Sequence, residues 1–146
     1  MKVNECMSSK VCFCKPEAII KDVAKLMCDY HVGCIPVCDN NQAVVGILTD
    51  RDIILRSIAC DKDVTSTPVS DIMTTKVCCC TPETSIEQVT GLMSEHQIKR
   101  IRVISNYKIV GMLSLGDIAN NQNITSQELG NTVENICNCD NKNNAE

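Results

Sequence analysis

Two short segments hold the residue types best suited to chemistry. Gly46-Ile-Leu-Thr-Asp-Arg-Asp52 and Gly111-Met-Leu-Ser-Leu-Gly-Asp117 share the form Gly-h-h-Thr/Ser-x-x-Asp, where h is apolar. Each puts a hydroxyl at a helix N-cap and a carboxylate three residues later. A Thr or Ser cap is worth about 0.5–2 kcal/mol by itself, so a reciprocal capping box would account for both residues. Two other boxes offer a comparison: Thr84-x-x-Glu87 and Thr125-x-x-Glu128 use Glu, the side chain favoured for reaching back to the cap. Asp is shorter, which leaves Asp52 and Asp117 free to point outward. A helix start has unpaired N–H groups and a positive dipole end, both suited to phosphate. A carboxylate beside it repels phosphate but accepts from a ribose diol, in charged hydrogen bonds worth about 1.5–3 kcal/mol each. The combination favours a nucleotide over a bare anion, with plain capping as the rival reading.

The elements that carry these segments occur twice. Met7, Val11, Pro16, Ile20, Val23 and Met27 return as Met73, Val77, Pro82, Ile86, Val89 and Met93, each 66 positions on. One residue is then lost in a loop, and Gly46–Asp52 maps onto Gly111–Asp117 at 65. The period exceeds the roughly 20–50 residues of solenoid units and points to a duplicated α/β unit. Each copy reads as strand, helix, strand, strand, helix. In the first, the strand is Val11–Cys14, and an amphipathic helix over 17–30 follows, ended by Gly33. Cys34–Cys38 and 43–48 are strands, and the second helix runs from Thr49 through Ile58. In the second copy the last strand is 109–113. A further helix begins at the Thr125 box, with an Ile124–Leu129 staple and Leu129, Val133 and Ile136 on one face. The expected division is repeat 1 over 1–66, repeat 2 over 67–122, and a helix with a disordered Asn-rich tail over 123–146.

At 146 residues the chain is about one domain in size, and neither half is large enough for a secure core. The net charge of −4 argues against a nucleic-acid surface. No apolar run approaches the roughly 20 residues of a membrane span, and no signal-peptide core is seen, which points to the cytoplasm. Twelve cysteines would suit a disulfide framework only after export. Cys12, Cys14, Cys28, Cys34, Cys38, Cys60, Cys78 and Cys80 fall where Val or Ala would serve, and reduced Cys behaves as a small hydrophobe. Cys137-Asn-Cys139 is the exception, placed to oxidise or hold metal. His31 and His96 read as helix-end residues. No Ser-His-Asp set, Walker loop or metal-binding His pair is present, so neither catalytic nor metal residues are assigned.

The duplicated motif, the upstream Gly33-Cys-Ile-Pro36 and the repeat pattern resemble the cystathionine β-synthase (CBS) domain family. Over roughly residues 1–120 the chain is similar to a stand-alone tandem pair, a Bateman module. The resemblance implies a mixed α+β fold of two β-α-β-β-α repeats packed with pseudo-twofold symmetry. It also implies a non-catalytic regulatory module that binds AMP, ADP, ATP, S-adenosylmethionine or a dinucleotide such as NAD in clefts between the repeats. A homodimer and a separate regulated protein are the implied partners, and no cofactor is required. Carried over, Asp52 and Asp117 hold ribose hydroxyls, Thr49 and Ser114 face phosphate, and the backbone of Cys34, Ile35 and Pro36 lies near adenine.

The second copy departs from the pattern, with Lys99-Arg-Ile-Arg102 in place of Gly33-Cys-Ile-Pro36. Lys99, Arg100 and Arg102 supply cations for a polyphosphate, or form a solvated strand edge where basic residues discourage pairing. Arg51 is likewise either a phosphate contact or a surface residue. Two rival functions stand beside the sensor: a ligand-free dimerisation module, and a thiol-based redox or metal sensor.

Overall fold

The computed structural model describes residues 1–76, 78–121 and 124–137. The chain divides into two compact units that interleave in sequence. One comprises Met1–Val11 with Cys78–Glu146, the other Cys12–Val77. Self-similarity and compactness thus partition the chain differently, because each unit is completed by the segment preceding the other copy's first strand.

The Cys12–Val77 unit holds α1 (Ile20–Tyr30), β1 (Cys34–Cys38), β2 (Val44–Thr49) and α2 (Asp50–Arg56). α1 buries Ile20, Val23 and Met27, the spacing of an amphipathic face. It starts at Ile20 rather than at 17, and His31, not Gly33, terminates it. His31 adopts the left-handed conformation (φ 53°), and its N–H returns to the carbonyls of Cys28 and Met27. β1 and β2 pair antiparallel, with Cys34 opposite Thr49. The expected strand at 11–14 shrinks to one parallel bridge, Cys14 to Val37. Cys14 N–H donates to the Pro36 carbonyl and Cys38 N–H to that of Cys14. Pro36 has no N–H of its own with which to add the next rung.

The other unit holds β3 (Cys79–Cys80), α3 (Ile86–His96), β4 (Arg100–Ser105), β5 (Lys108–Ser114), α4 (Leu115–Ala119) and α5 (Ser126–Cys137). Arg102 stands where β1 has Pro36, and here the parallel ladder is longer, Cys79 to Arg102 and Cys80 to Val103. The sheet order is β3-β4-β5, and β3 flanks β4 at Arg102 and Val103, so the strand-edge reading is overturned at Arg102, while Arg100 at the start of β4 and Lys99 ahead of it are exposed. Gln97, the register equivalent of His31, closes α3 in the same left-handed conformation (φ 54°). α5 packs on α3, and its buried positions are Thr132 and Ile136, with Leu129 half-buried. Val133, expected on that face, is exposed because the inward stripe runs through 129, 132 and 136. The expected disordered tail and Cys139 lie outside the described residues.

Each core is apolar and contiguous. Val3, Val89, Met93, Ile101, Val103, Leu113 and Ile118 centre one, and Ile20, Val23, Ile35, Val37, Leu48 and Val69 the other. Val3 and Val69 are both fully buried and equivalent in the repeat, each seated in the core that the following segment of its own copy does not build.

Two glycines permit the interleaving. A Cβ on Gly46 would lie 2.7 Å from Met73 Sδ and 3.0 Å from the Thr74 carbonyl oxygen. On Gly111 it would lie 2.7 Å from Met7 Sδ and 3.0 Å from the Ser8 carbonyl oxygen. The thioethers can swing away. The Thr74 carbonyl cannot easily do so, being held by Ile47 N–H at 2.9 Å. Gly46→Ala should therefore cost about 1–3 kcal/mol, the usual range for overpacking. In a urea-melt cycle with Met73→Ala, part of that cost should be recovered. Full additivity would show that no contact exists.

Cys14 and Cys80 are buried free thiols. Burial pushes the Cys14 thiol up to about 12, with smaller contributions from Cys38 and Cys12. Burial also pushes the Cys80 thiol up to about 11. Both folded-state values exceed the ordinary thiol value of 9.0. The native state thus holds these protons where the unfolded chain releases them, and stability falls as pH rises above about 9. A series of denaturant melts from neutral pH to about pH 11 should show that decline, and Cys14→Ala should flatten it. An unchanged slope in the variant would contradict this assignment.

Candidate functional site

Both Gly-h-h-Thr/Ser-x-x-Asp segments form strand-to-helix junctions. Thr49 closes β2 and caps α2; Ser114 closes β5 and caps α4. Each cap residue is extended, with ψ 160°. Thr49 Oγ1 accepts from Asp52 N–H at 3.1 Å, and Asp52 Oδ2 accepts from Thr49 N–H at 3.1 Å. Ser114 Oγ accepts from Asp117 N–H at 3.0 Å, and Asp117 Oδ2 accepts from Ser114 N–H at 2.8 Å. The expectation that Asp stays free of its own backbone is overturned. An extended cap turns its N–H toward the third helical residue, so a short carboxylate closes the box. The Thr125–Glu128 box is no tighter, at 3.2 and 3.1 Å. The other Glu box is displaced by one residue: Ser85 caps α3 with Gln88 as its partner, while Thr84 Oγ1 accepts from Thr81 N–H.

A closed box occupies only one carboxylate oxygen, and the two junctions treat the second differently. Thr74 Oγ1 lies 3.3 Å from each oxygen of Asp52, and Arg56 Nε is 3.7 Å from Oδ1. Asp52 is only 8% exposed. Asp117 is half-buried, and among the described residues its Oδ1 has no hydrogen-bond partner. Cys6 lies near enough that Asp117 helps burial raise its thiol. Both cap hydroxyls spend a lone pair on the box yet keep their hydrogens available to an incoming acceptor.

The structure brings several of the remaining candidates beside these junctions. Cys34 faces Thr49 across the β1–β2 ladder, and Asp50 N–H donates to the Gly33 carbonyl at 3.0 Å. A Cβ on Gly33 would sit 2.9 Å from Asp50 Oδ2, so the glycine leaves room for that carboxylate. Cys34 is half-buried, while Ile35 and Pro36 are buried in β1. Arg51 is exposed. Arg100 faces Ser114 across β4–β5 and is exposed. Arg102 is 3% exposed, and its Nε and Nη2 donate to the Cys78 carbonyl at 3.3 and 3.1 Å.

Thr74 and Arg56 were not legible as site residues. The available signal was the register: Thr74 matches Ser8, each a hydroxyl directly after the methionine that packs on a motif glycine.

The sequence pattern of the CBS domain family matches residues 3–58 and 69–123. The CBS domain-containing protein YhcV of Bacillus subtilis is 37% identical over 134 residues, covering 92% of this chain and 94% of that protein. The crystal structure of Hypoxic Response Protein I with two coordinated zinc ions superposes with a TM-score of 0.77 at 26% identity, covering 83% of this chain and 98% of that one. An uncharacterised conserved protein from Pyrococcus horikoshii gives 0.75 at 30% identity, covering 86% and 96%. Among the described residues of this chain no three His, Cys, Asp or Glu side chains gather as a metal group. No described helix is long and apolar enough to cross a membrane. Two matched domains spanning most of the sequence, with a close relative along nearly its whole length, place this chain in the CBS domain family as a tandem pair.

Proposed function

We propose that this tandem pair is a non-catalytic regulatory module that binds an adenosine compound at its strand-to-helix junctions. The observation that carries the reading is the state of Asp117. One oxygen is fixed by Ser114 N–H at 2.8 Å, and the other has no partner among the described residues. A carboxylate held in place with a spare acceptor suits the vicinal hydroxyls of ribose. Ser114 Oγ–H and the exposed Arg100 are the groups available to phosphate. Asp52, Thr49, Arg51 and the Cys34–Pro36 backbone form the weaker counterpart, since Thr74 and Arg56 already engage Asp52. The two junctions are thus unequal, and the Asp117 junction is the primary one. Arg102 serves by holding the Cys78 carbonyl. Binding would act through a homodimer mate or a separate target protein, in the cytoplasm, with no nucleic acid or membrane involved.

Calorimetry with AMP, ADP, ATP, S-adenosylmethionine and NAD tests this. At about 100 times its dissociation constant a true ligand stabilises the fold by roughly 2.7 kcal/mol, which a thermal melt also detects. Indifference of the wild-type protein to all five compounds would end the reading. The closed capping boxes favour one alternative, a structural module without ligand. That alternative predicts an unmoved melting temperature across the same panel.

A further inference from the structure

The hairpin between β4 and β5 turns on Asn106 and Tyr107, with φ of 51° and 65°, between the paired Ser105 and Lys108. A two-residue loop with both centres at positive φ has the form of a type I′ turn, which favours Asn followed by Gly. Asn106 suits its place. Tyr107 does not, since a side chain in the left-handed region crowds the following carbonyl and glycine does not. The ring gains no packing in exchange, being 90% exposed. Gln42 holds the matching place in the other unit at φ 63°, so this backbone does not call for an aromatic. A bulky apolar group kept on an unfavourable backbone, outside its own fold, points to a contact elsewhere.

The same unit holds a cavity of about 520 Å³ where α5 meets the start of α3. Ile86, Ile118 and Leu129 supply its apolar lining, and Glu87, Thr90 and Glu128 the polar part. Its walls hold two carboxylates and neither lysine nor arginine. The hairpin tip is the complement, an aromatic ring beside the exposed ammonium of Lys108. Among the described residues Lys108 makes no ion pair.

We propose that Tyr107 of one copy of this chain seats in the cavity of a second copy. The ring rests on Ile86, Ile118 and Leu129, and Lys108 pairs with Glu87 and Glu128. Knob and cavity are different surfaces, so the contact is heterologous and adds copies head to tail, unlike a twofold dimer in which one patch meets itself. A buried tyrosine contributes about 150–250 Å², well below the roughly 800 Å² per partner of a standard interface. The association is therefore weak and reversible. It uses neither Asp52, Asp117 nor any nucleotide, so it stands apart from the adenosine reading and survives its failure.

Sedimentation of the full chain from about 10 μM to about 1 mM tests this. The wild-type average mass should climb with concentration beyond that of its smallest species. Tyr107→Gly should lose that climb while its melting temperature rises by roughly 2–4 °C, because the turn relaxes. Thr90→Trp, which adds bulk to the cavity wall, should lose the climb too, and Leu129→Phe replaces it if that variant does not fold. Lys108→Glu should weaken association about tenfold or more. An equimolar mixture of Tyr107→Gly and Thr90→Trp should pair although neither associates alone, because one keeps the cavity and the other the knob. A flat wild-type mass, an undiminished climb in the folded variants, no pairing in the mixture, or a lowered melting temperature for Tyr107→Gly would each overturn the proposal.

Discussion

Replacing Asp117 with asparagine is expected to weaken the tightest-bound adenosine compound by about 10- to 150-fold. That corresponds to the loss of one charged hydrogen bond worth about 1.5–3 kcal/mol. The choice of asparagine isolates the ligand from the fold. Its amide oxygen can still accept from Ser114 N–H, so the box that caps α4 persists. Its NH₂ then takes the place of the open Oδ1 and offers a donor where ribose requires an acceptor. Asp117→Ala would lose cap and acceptor together, and its effect could not be apportioned. Asp52→Asn should leave this affinity nearly unchanged, because the oxygens of Asp52 already face Thr74 and Arg56. Calorimetry on the three proteins decides the matter. Equal losses in both variants would show that the junctions are equivalent, and no loss in either would remove the acidic side chains from recognition.

Val3→Ala is the second large effect, and its location is more telling than its size. Val3 is fully buried in the core built by β3, α3, β4 and β5. Fully burying a valine side chain is worth about 1.5–3 kcal/mol, and most of that should go with its two methyl groups. Removing residues 1–10 altogether should cost far more. It discards Val3 and Met7 along with bonds from Val3 N–H to the Thr84 carbonyl and from Asn4 N–H to that of Pro82. Hydrogen exchange should then reveal lost protection across 86–114, while α1 and β1 keep theirs. Loss confined instead to 20–49 would mean that the N-terminal segment belongs to the neighbouring unit.

Much of this was readable before any coordinates. The spacing of Ile20, Val23 and Met27 gave α1 its buried face, and Cys34–Cys38 came out as a strand at its observed bounds. Periodicity reports which side chains must be hidden, so elements with one clear apolar face were legible. The orientation of Asp52 and Asp117 was not. It depends on the extended backbone of the preceding cap, which no residue-type preference encodes, and the argument from side-chain length pointed the wrong way. A choice between adjacent hydroxyls, Thr84 or Ser85, was equally invisible, as either can cap. The parallel rung missing at Pro36 could have been anticipated, since a residue without an N–H limits a ladder wherever it falls. The exchange of Val3 and Val69 could not, because a repeat specifies what resembles what and leaves open which core each copy completes.

That exchange sets an order on biosynthesis. Residues 1–11 have their packing partners among those that emerge after Cys78, so they must wait, unsatisfied, while the intervening chain is made. The middle of the chain can close on itself as soon as Thr74 is out. Assembly therefore proceeds from the inside, and segment 1–11 docks after it, a long loop closure that should set the pace of the whole reaction.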